Sequence, residues 1–478
     1  MSCPRHRTPS LPARLVKACC AFALLALAPV AHGHGIWGHI HVTGWAIENL
    51  PDGELRDFFA HPDVRNAAHF GAAFTDSGYW PQANSDRARV YGEHTHWEPF
   101  VERFIDWIIA NDPPPFTTLE SRQRVAFLMG CAAHGLQDEI FDSLFLDHIH
   151  EHDGAGQDEA DPATDGFLVQ DELTRFLPTV WMPMDALLEI YDELDADIDE
   201  QVIRAGVTVM MTLYVSNIGL GIARGMGELH ADAIPWTRAW YMDPDIPGSL
   251  RAEILPTMHY LEAIWERLHG RWSEEDLVVF AYPHTPRRLL SGDPASAGSV
   301  VSMIFGRGVH APSMAGGLAD DDGVEVDTVI RSNRWGGEGL YTRVMRVVPQ
   351  AALEPGGWYD AWLDGGATVI GHGEAAVGHT HRFQVRCATD DDPACPDVGP
   401  LPAGRTDLPF VDPVDGPELP EPPDDEGAVA AGGGCTVVGS PATTPAALVV
   451  VLALLALSRR RARRSPAFVR GAGGAAVP

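Results

Sequence analysis

Phe127-Leu128-Met129-Gly130-Cys131-Ala132-Ala133-His134-Gly135-Leu136-Gln137-Asp138-Glu139-Ile140-Phe141-Asp142 reads as an apolar helix that carries an imidazole and two carboxylates at a fixed interval. His134, Asp138 and Asp142 are four residues apart, so a helix places them on one face. Buried without partners, such groups would cost several kcal/mol. A cation facing them removes that cost, and zinc accepts histidine and aspartate together. The competing reading is a solvated helix face, on which the three groups need no partner.

Three further segments supply matching chemistry. Gly71-Ala72-Ala73-Phe74-Thr75-Asp76 is a run of small residues ending in a carboxylate, and His94-Thr95-His96-Trp97-Glu98-Pro99-Phe100 offers imidazoles just before a helix. His34-Gly35-Ile36-Trp37-Gly38-His39-Ile40-His41 leads into a helix through Ala46, Ile47 and Leu50. Between them the helical period is plain, as in Trp97, Phe100, Val101, Phe104, Ile105 and Ile108. The pattern stays mainly helical from about Ile36 to Phe280, with Gly and Pro clusters as breaks.

The order of these pieces resembles the zinc-dependent phospholipase C family, which includes the N-terminal domain of GPI-specific phospholipase D and is related to fungal single-strand nucleases. The resemblance runs from roughly Gly33 to Leu168. It rests on His39-Ile40 with Ala46 and Leu50, Gly71-Ala72 with Asp76, His96-Trp97 with Pro99-Phe100, and Phe127-Leu128 with Gly130, His134 and Asp138. It implies a mainly α, phospholipase C/nuclease-like helical domain with up to three zincs, the mature N-terminal amine serving as a ligand. One zinc is then expected on Asp76, His96, His134 and Asp138, and a second on His34, His39 and Asp138, with Asp138 shared between them.

The resemblance also gives Asp76 a catalytic role, orienting or deprotonating the attacking water. His34 stands where the family usually has tryptophan, and His41 or His94 could compete for neighbouring ligand roles. At the third position Asp142, Gln157 and Asp161 replace a family pattern of two histidines and an acidic residue. A neutral amide oxygen is a poor zinc ligand and suits harder cations such as calcium. Two zincs are therefore expected, with the third position weak, empty or held by a harder ion. His148, His150 and His152, beside Asp147, Glu151 and Asp153, read as an exposed polar loop that could swing in as substitute ligands.

The flanks set the context. Arg5, Arg7, Arg14 and Lys17, an apolar run from Ala18 to Ala28, and small residues at Ala31 and Gly33 read as a secretory signal, with His34 as the expected mature N-terminus. Beyond Tyr282 the pattern becomes strand-like at Val300 to Phe305, Tyr341 to Val348 and Phe383 to Val385. Leu353-Glu354-Pro355-Gly356-Gly357-Trp358-Tyr359 with Phe383-Gln384-Val385 resembles the last strands of bacterial immunoglobulin-like modules, which implies a β-sandwich. His372, His379 and His381 there are assigned no role, as alternating histidines on an exposed strand.

Residues after Asp390 are rich in Pro, Asp, Glu and Gly and form a spacer. The apolar stretch from Cys435 to Leu457, followed by Arg459-Arg460-Arg461-Ala462-Arg463-Arg464, resembles the MYXO-CTERM sorting signal of myxobacteria, which implies a cell-surface anchoring machinery as partner. The expected organisation is a leader 1–33, a helical domain 34–280, a β domain 281–388, an acidic linker 389–434, a sorting or membrane tail 435–464 and a terminal stretch 465–478. Cys131 reads as a buried small residue, while Cys387 and Cys395 could close a disulfide in an oxidising compartment.

A formal charge of -32 excludes electrostatic steering toward nucleic acid. The function expected is an exported, surface-anchored zinc-dependent hydrolase of a phospholipid or other phosphodiester. The alternatives are a nuclease or phosphomonoesterase, and a non-catalytic surface adhesion protein with a structural metal cluster.

Overall fold

The computed structural model describes residues 35–79, 86–219, 221–284, 288–332, 341–374 and 377–387. The leader, His34, Cys395, the acidic linker and the sorting tail lie outside the described residues. The helices are α1 Ile36–Glu48, α2 Glu54–Phe58, α3 Pro62–Phe74, α4 Asp86–His96, α5 Glu98–Asn111, α6 Leu119–Ile140, α7 Leu146–Asp153, α8 Gln157–Gln170, α9 Met184–Glu193, α10 Glu200–Gly219, α11 Ile222–Ala231, α12 Pro235–Trp240 and α13 Ile254–Leu268. Among the described residues no single helix is long and apolar enough to cross a membrane.

The quoted stretch forms the C-terminal part of α6, which is buried continuously from Val125 to Ile140. Its start is fixed by Thr118, whose hydroxyl accepts from the Ser121 amide at 3.0 Å. Helix α3 begins on Pro62, with a His61 cap accepting from the Asp63 amide at 3.2 Å. The two helices then touch backbone to backbone. A Cβ on Gly130 would lie 2.0 Å from the Ala68 carbonyl oxygen, and one on Gly71 would lie 2.3 Å from that of Phe127. Glycine at both positions is the condition for this approach.

Three features differ from the sequence expectation. The Ile36 to His41 segment is already helical, because its first turn is capped from a distance: Asp165 accepts from the Gly38 amide at 2.9 Å and the Trp37 amide at 3.3 Å. His148, His150 and His152 lie on helix α7, and His148 is buried, so this segment is no exposed loop. His94 and His96 likewise end helix α4 and do not merely precede one.

The remaining chain is antiparallel β. The strands are β1 Val278–Tyr282, β2 Val301–His310, β3 Gly316–Asp320, β4 Glu325–Val326, β5 Thr328–Ser332, β6 Tyr341–Pro349, β7 Trp358–Leu363, β8 Thr368–Val369, β9 Gly373–Glu374 and β10 His379–Gln384. One sheet runs β5-β6-β2-β8-β9 with β1 paired to β2, and the other runs β10-β7-β3-β4. Strand β1 straddles residue 280. Val301, Met303, Phe305, Met345 and Val347 from the first sheet share one apolar core with Leu318, Tyr359, Ala361, Leu363 and Phe383 from the second. Cys387 is disulfide-bonded, while Cys131 is a free, buried thiol.

Buried charges join the β region to the helices. Arg343 of β6 is fully buried and pairs with Glu139 of α6 at 2.7 Å, and it donates to the carbonyls of His96 at 2.8 Å and Ala132 at 3.3 Å. Arg307 of β2 pairs with Glu102 at 2.7 Å. Arg267 bridges Glu98, at 3.0 Å, and Glu102. Removing one partner strands its mate in the interior, which costs about 3–5 kcal/mol for a buried pair. Arg343→Met should therefore lower unfolding free energy by about that amount. Urea denaturation checks this, and an unchanged midpoint would show that the network is dispensable.

Candidate metal centre

Helices α1, α3, α4 and α6 deliver one residue each to a common point, and α6 delivers a second one turn later. The 3₁₀ turn Thr75–Gly78 at the end of α3 carries Asp76, the last residue of α4 is His96, and α6 carries His134 and Asp138. Gly135 permits the approach of α4, since a Cβ there would lie 2.1 Å from the His96 carbonyl oxygen. All four side chains are buried, as is His39 of α1.

Five separations define the geometry. His96 Nε2 lies 3.2 Å from His134 Nε2, 3.3 Å from Asp138 Oδ2 and 3.5 Å from Asp76 Oδ1. His134 Nε2 lies 3.3 Å from Asp138 Oδ2 and 3.6 Å from Asp76 Oδ1. A tetrahedron of ligands about 2.0–2.1 Å from a central ion has edges of about 3.3–3.4 Å. These five separations, from 3.2 to 3.6 Å, lie near that spacing, and His96, His134 and Asp138 form one close group. Asp138 turns its other oxygen to His39, with Oδ1 3.1 Å from His39 Nε2, and His39, Asp76 and His134 form a second close group.

The far sides of the rings are already committed. Nδ1 of His96 donates to the Gly92 carbonyl at 2.6 Å and Nδ1 of His134 to the Ala72 carbonyl at 2.5 Å. Nδ1 of His39 contacts Gln137 Oε1 at 3.0 Å, while Gln137 Nε2 donates to Thr43 Oγ1 at 3.1 Å, which orients the amide. Each Nε2 therefore carries a lone pair toward the centre, the arrangement that ligand histidines adopt. Asp76 Oδ1 and both Asp138 oxygens are buried without a hydrogen-bond partner. Among the described residues, none of Asp76, Asp138, Asp142 and Asp161 pairs with an arginine or lysine. The groups His39, Asp76 and His134, and His96, His134 and Asp138, could each hold a metal ion.

Electrostatics around the centre are consistent with a missing positive charge. Burial alone lowers the His96 ring, but the adjacent Asp138 and Asp76 carboxylates outweigh it and raise the ring to about 10. Burial, reinforced by Asp138, holds Asp142 well above the usual carboxylate range, and burial with Asp142 and Asp138 does the same to Asp161. Asp142 sits in a π-type turn, Phe141–Phe145, that follows α6, and it accepts from Gln157 Nε2 at 3.2 Å. Among the described residues, no close triple of ligand atoms includes Asp142 or Asp161.

Sequence reasoning placed Asp76, His39, His96, His134 and Asp138 as ligands, and the fold brings these five together. His34 lies outside the described residues. His41 is not available to the centre: its Nδ1 donates to the Trp37 carbonyl at 2.8 Å, and its Nε2 accepts from the Arg175 amide at 2.7 Å and the Phe176 amide at 3.2 Å. His94 belongs to neither close group. Gln137, Asp165 and Glu253 were missed. Glu253 is buried near Asp138 and Asp142, whose charges add to burial in raising it. It is remote in sequence from every motif, so no spacing signal could have marked it.

The fold and this cluster define a protein with a helical region that buries a group of imidazoles and carboxylates able to hold a metal ion. No family model matches the chain. It is 31% identical over 184 residues to phosphatidylinositol-glycan-specific phospholipase D from Bos taurus, which covers 35% of this chain and 22% of the relative. The rat protein of the same name is 28% identical over 34% of this chain and 20% of its own length. The chain thus spans about a fifth of the length of these curated relatives. At a coarse level the similarity is to phospholipases, which are hydrolases.

Near the centre, burial pushes the ring of His41 down to about 4 and that of His69 to about 3, from an ordinary 6.5. The unfolded chain binds protons at these positions that the folded one refuses. Their contribution to stability is present above pH 6.5 and is lost as the pH falls toward the folded values. The urea midpoint should drop between pH 7 and pH 5, and His41→Gln, which keeps a polar partner but does not titrate, should shrink that drop. An identical drop in the variant would remove His41 from the acid sensitivity.

Proposed function

We propose that the chain is a zinc-dependent phosphoric ester hydrolase, phospholipase C-like, whose substrate class is a phospholipid. The observation that carries this reading is the buried cluster in which Asp76 Oδ1 and Asp138 Oδ2 both lie 3.3–3.6 Å from His96 Nε2 and His134 Nε2, with the second oxygen of Asp138 turned to His39. In this reading the four groups hold one zinc, and His39, Asp138 and His34 hold a second. Asp142 and Asp161 flank a third position that zinc fills weakly, because Gln157 supplies an amide where an imidazole would bind.

Bound zinc lowers the pKa of a coordinated water from about 15.7 toward 7 and draws charge from the phosphoryl oxygens. The residues around it do the rest. Asp76 Oδ1 is buried without a hydrogen-bond partner and would serve the zinc, leaving the other oxygen of the same carboxylate to orient the attacking water and accept its proton. Gln137, by fixing the His39 ring, keeps its lone pair on target. The similarity to phospholipases supports a lipid phosphoester, and the charge of -32 weighs against a polyanionic nucleic acid. The disulfide at Cys387 supports an exported protein, in line with a surface-anchored location and a tail handled by anchoring machinery. The two-sheet core supports an immunoglobulin-like module behind the helices.

Phospholipid vesicles and single-stranded DNA, offered in parallel to the purified chain, test the reading. Lipid headgroup release should disappear on chelation and return with zinc. Asp138→Asn should abolish it, and Gln137→Ala should weaken zinc binding about 10–100-fold. A zinc-loaded chain with no turnover on any phosphoester would overturn the proposal.

A further inference from the structure

Helix α7 carries a second group of ligand-type side chains away from the buried centre. His148 and His152 are one turn apart, with ring centroids 6.2 Å from each other and planes within 6° of parallel. Trp236 of α12 stacks on both, at 5.7 Å from His148 and 4.5 Å from His152. The tryptophan is itself held, because Asp153 accepts from the backbone amides of Trp236 at 3.0 Å and Thr237 at 2.8 Å. Glu151 reaches toward the β region, where it accepts from the Ala297 amide at 2.6 Å. The ligand atoms of His148, Glu151 and His152 lie within 4.8 Å of one another.

We propose that His148, Glu151 and His152 form a separate metal site for a divalent transition ion such as copper(II), nickel(II) or zinc. Two imidazoles and one carboxylate select such ions over calcium or magnesium, which prefer all-oxygen ligands. The indole wall restricts both rings before any ion arrives, and the Ala297 amide does the same for Glu151. His148 is buried, and burial keeps its ring neutral, while Glu151 and His152 are exposed. The ion is therefore reached directly from solvent. Three protein ligands leave positions for water, so the ion exchanges readily. Through Glu151 it ties α7 to the turn before β2, and occupancy stiffens the junction between helices and sheet.

The site is independent of the proposed hydrolytic centre, and one titration separates the two. Copper(II) is added to the chain dialysed until only the tightly held zinc of the buried centre remains, and followed by electron paramagnetic resonance. One further equivalent should bind, with coupling to two nitrogen donors, and it should raise the melting temperature. His148→Ala and His152→Ala should each lose that equivalent. Cooperative copper-free melting of His152→Ala, whose ring is exposed on one side and stacked on Trp236 on the other, rules out misfolding as the cause. His150→Ala, on the same helix, should retain the equivalent, as should Asp138→Asn, in which the buried centre is disabled. No further equivalent in the wild type, an equivalent that survives His152→Ala, or one that vanishes in Asp138→Asn would overturn the proposal.

Discussion

Four buried carboxylates, Asp76, Asp138, Asp142 and Asp161, lie with the imidazoles of His39, His96 and His134 and with no arginine or lysine paired to them among the described residues, and the rest of the helical region is arranged around that imbalance. Burying one unpaired ionised group costs several kcal/mol even after relaxation. The neighbouring carboxylates favour the protonated form of His96, and burial together with neighbouring carboxylates favours the neutral forms of Asp142 and Asp161. An ion that enters must displace those protons, so metal affinity rises with pH. The same carboxylates that make the empty cluster costly make the filled one tight.

Bringing five ligand side chains from separate elements to one point demands backbones closer than ordinary side chains allow. Gly71 and Gly130 bring α3 onto α6, and Gly135 brings the end of α4 onto α6. Behind them Arg343 grips Glu139 and the His96 carbonyl, so a strand of the β region supports the ligand helix and the ligand turn together. A buried ion pair is weak evidence of net stability, but it fixes orientation. Here it fixes two residues adjacent to metal-facing side chains. The β region is in this sense part of the site's scaffold.

The i, i+4 spacing of His134 and Asp138 was legible because helical geometry alone puts them on one face. Gly71 and Gly130 were legible as part of a pattern, yet their reason is tertiary: each faces a backbone carbonyl of the other helix. His39 and His41 could not be told apart in sequence. Both lie on α1, but two positions on a helix are about 200° of rotation, so one faces the centre and the other clamps the Arg175–Phe176 backbone. The start of α1 was misread for a related reason, since its cap comes from Asp165, far along the chain. Arg343 sits in a run that alternates like an ordinary strand, and nothing local says that its guanidinium crosses into the helices.

Anomalous diffraction at the zinc edge, on crystals of the chain grown with zinc, bears most directly on the buried centre. The account predicts a strong peak about 2.0–2.1 Å from Asp76 Oδ1, His96 Nε2, His134 Nε2 and Asp138 Oδ2 together. It also predicts a neighbouring peak between His39 and Asp138. Density for water or for direct hydrogen bonds among these side chains, with no anomalous signal in zinc-soaked crystals, would contradict it.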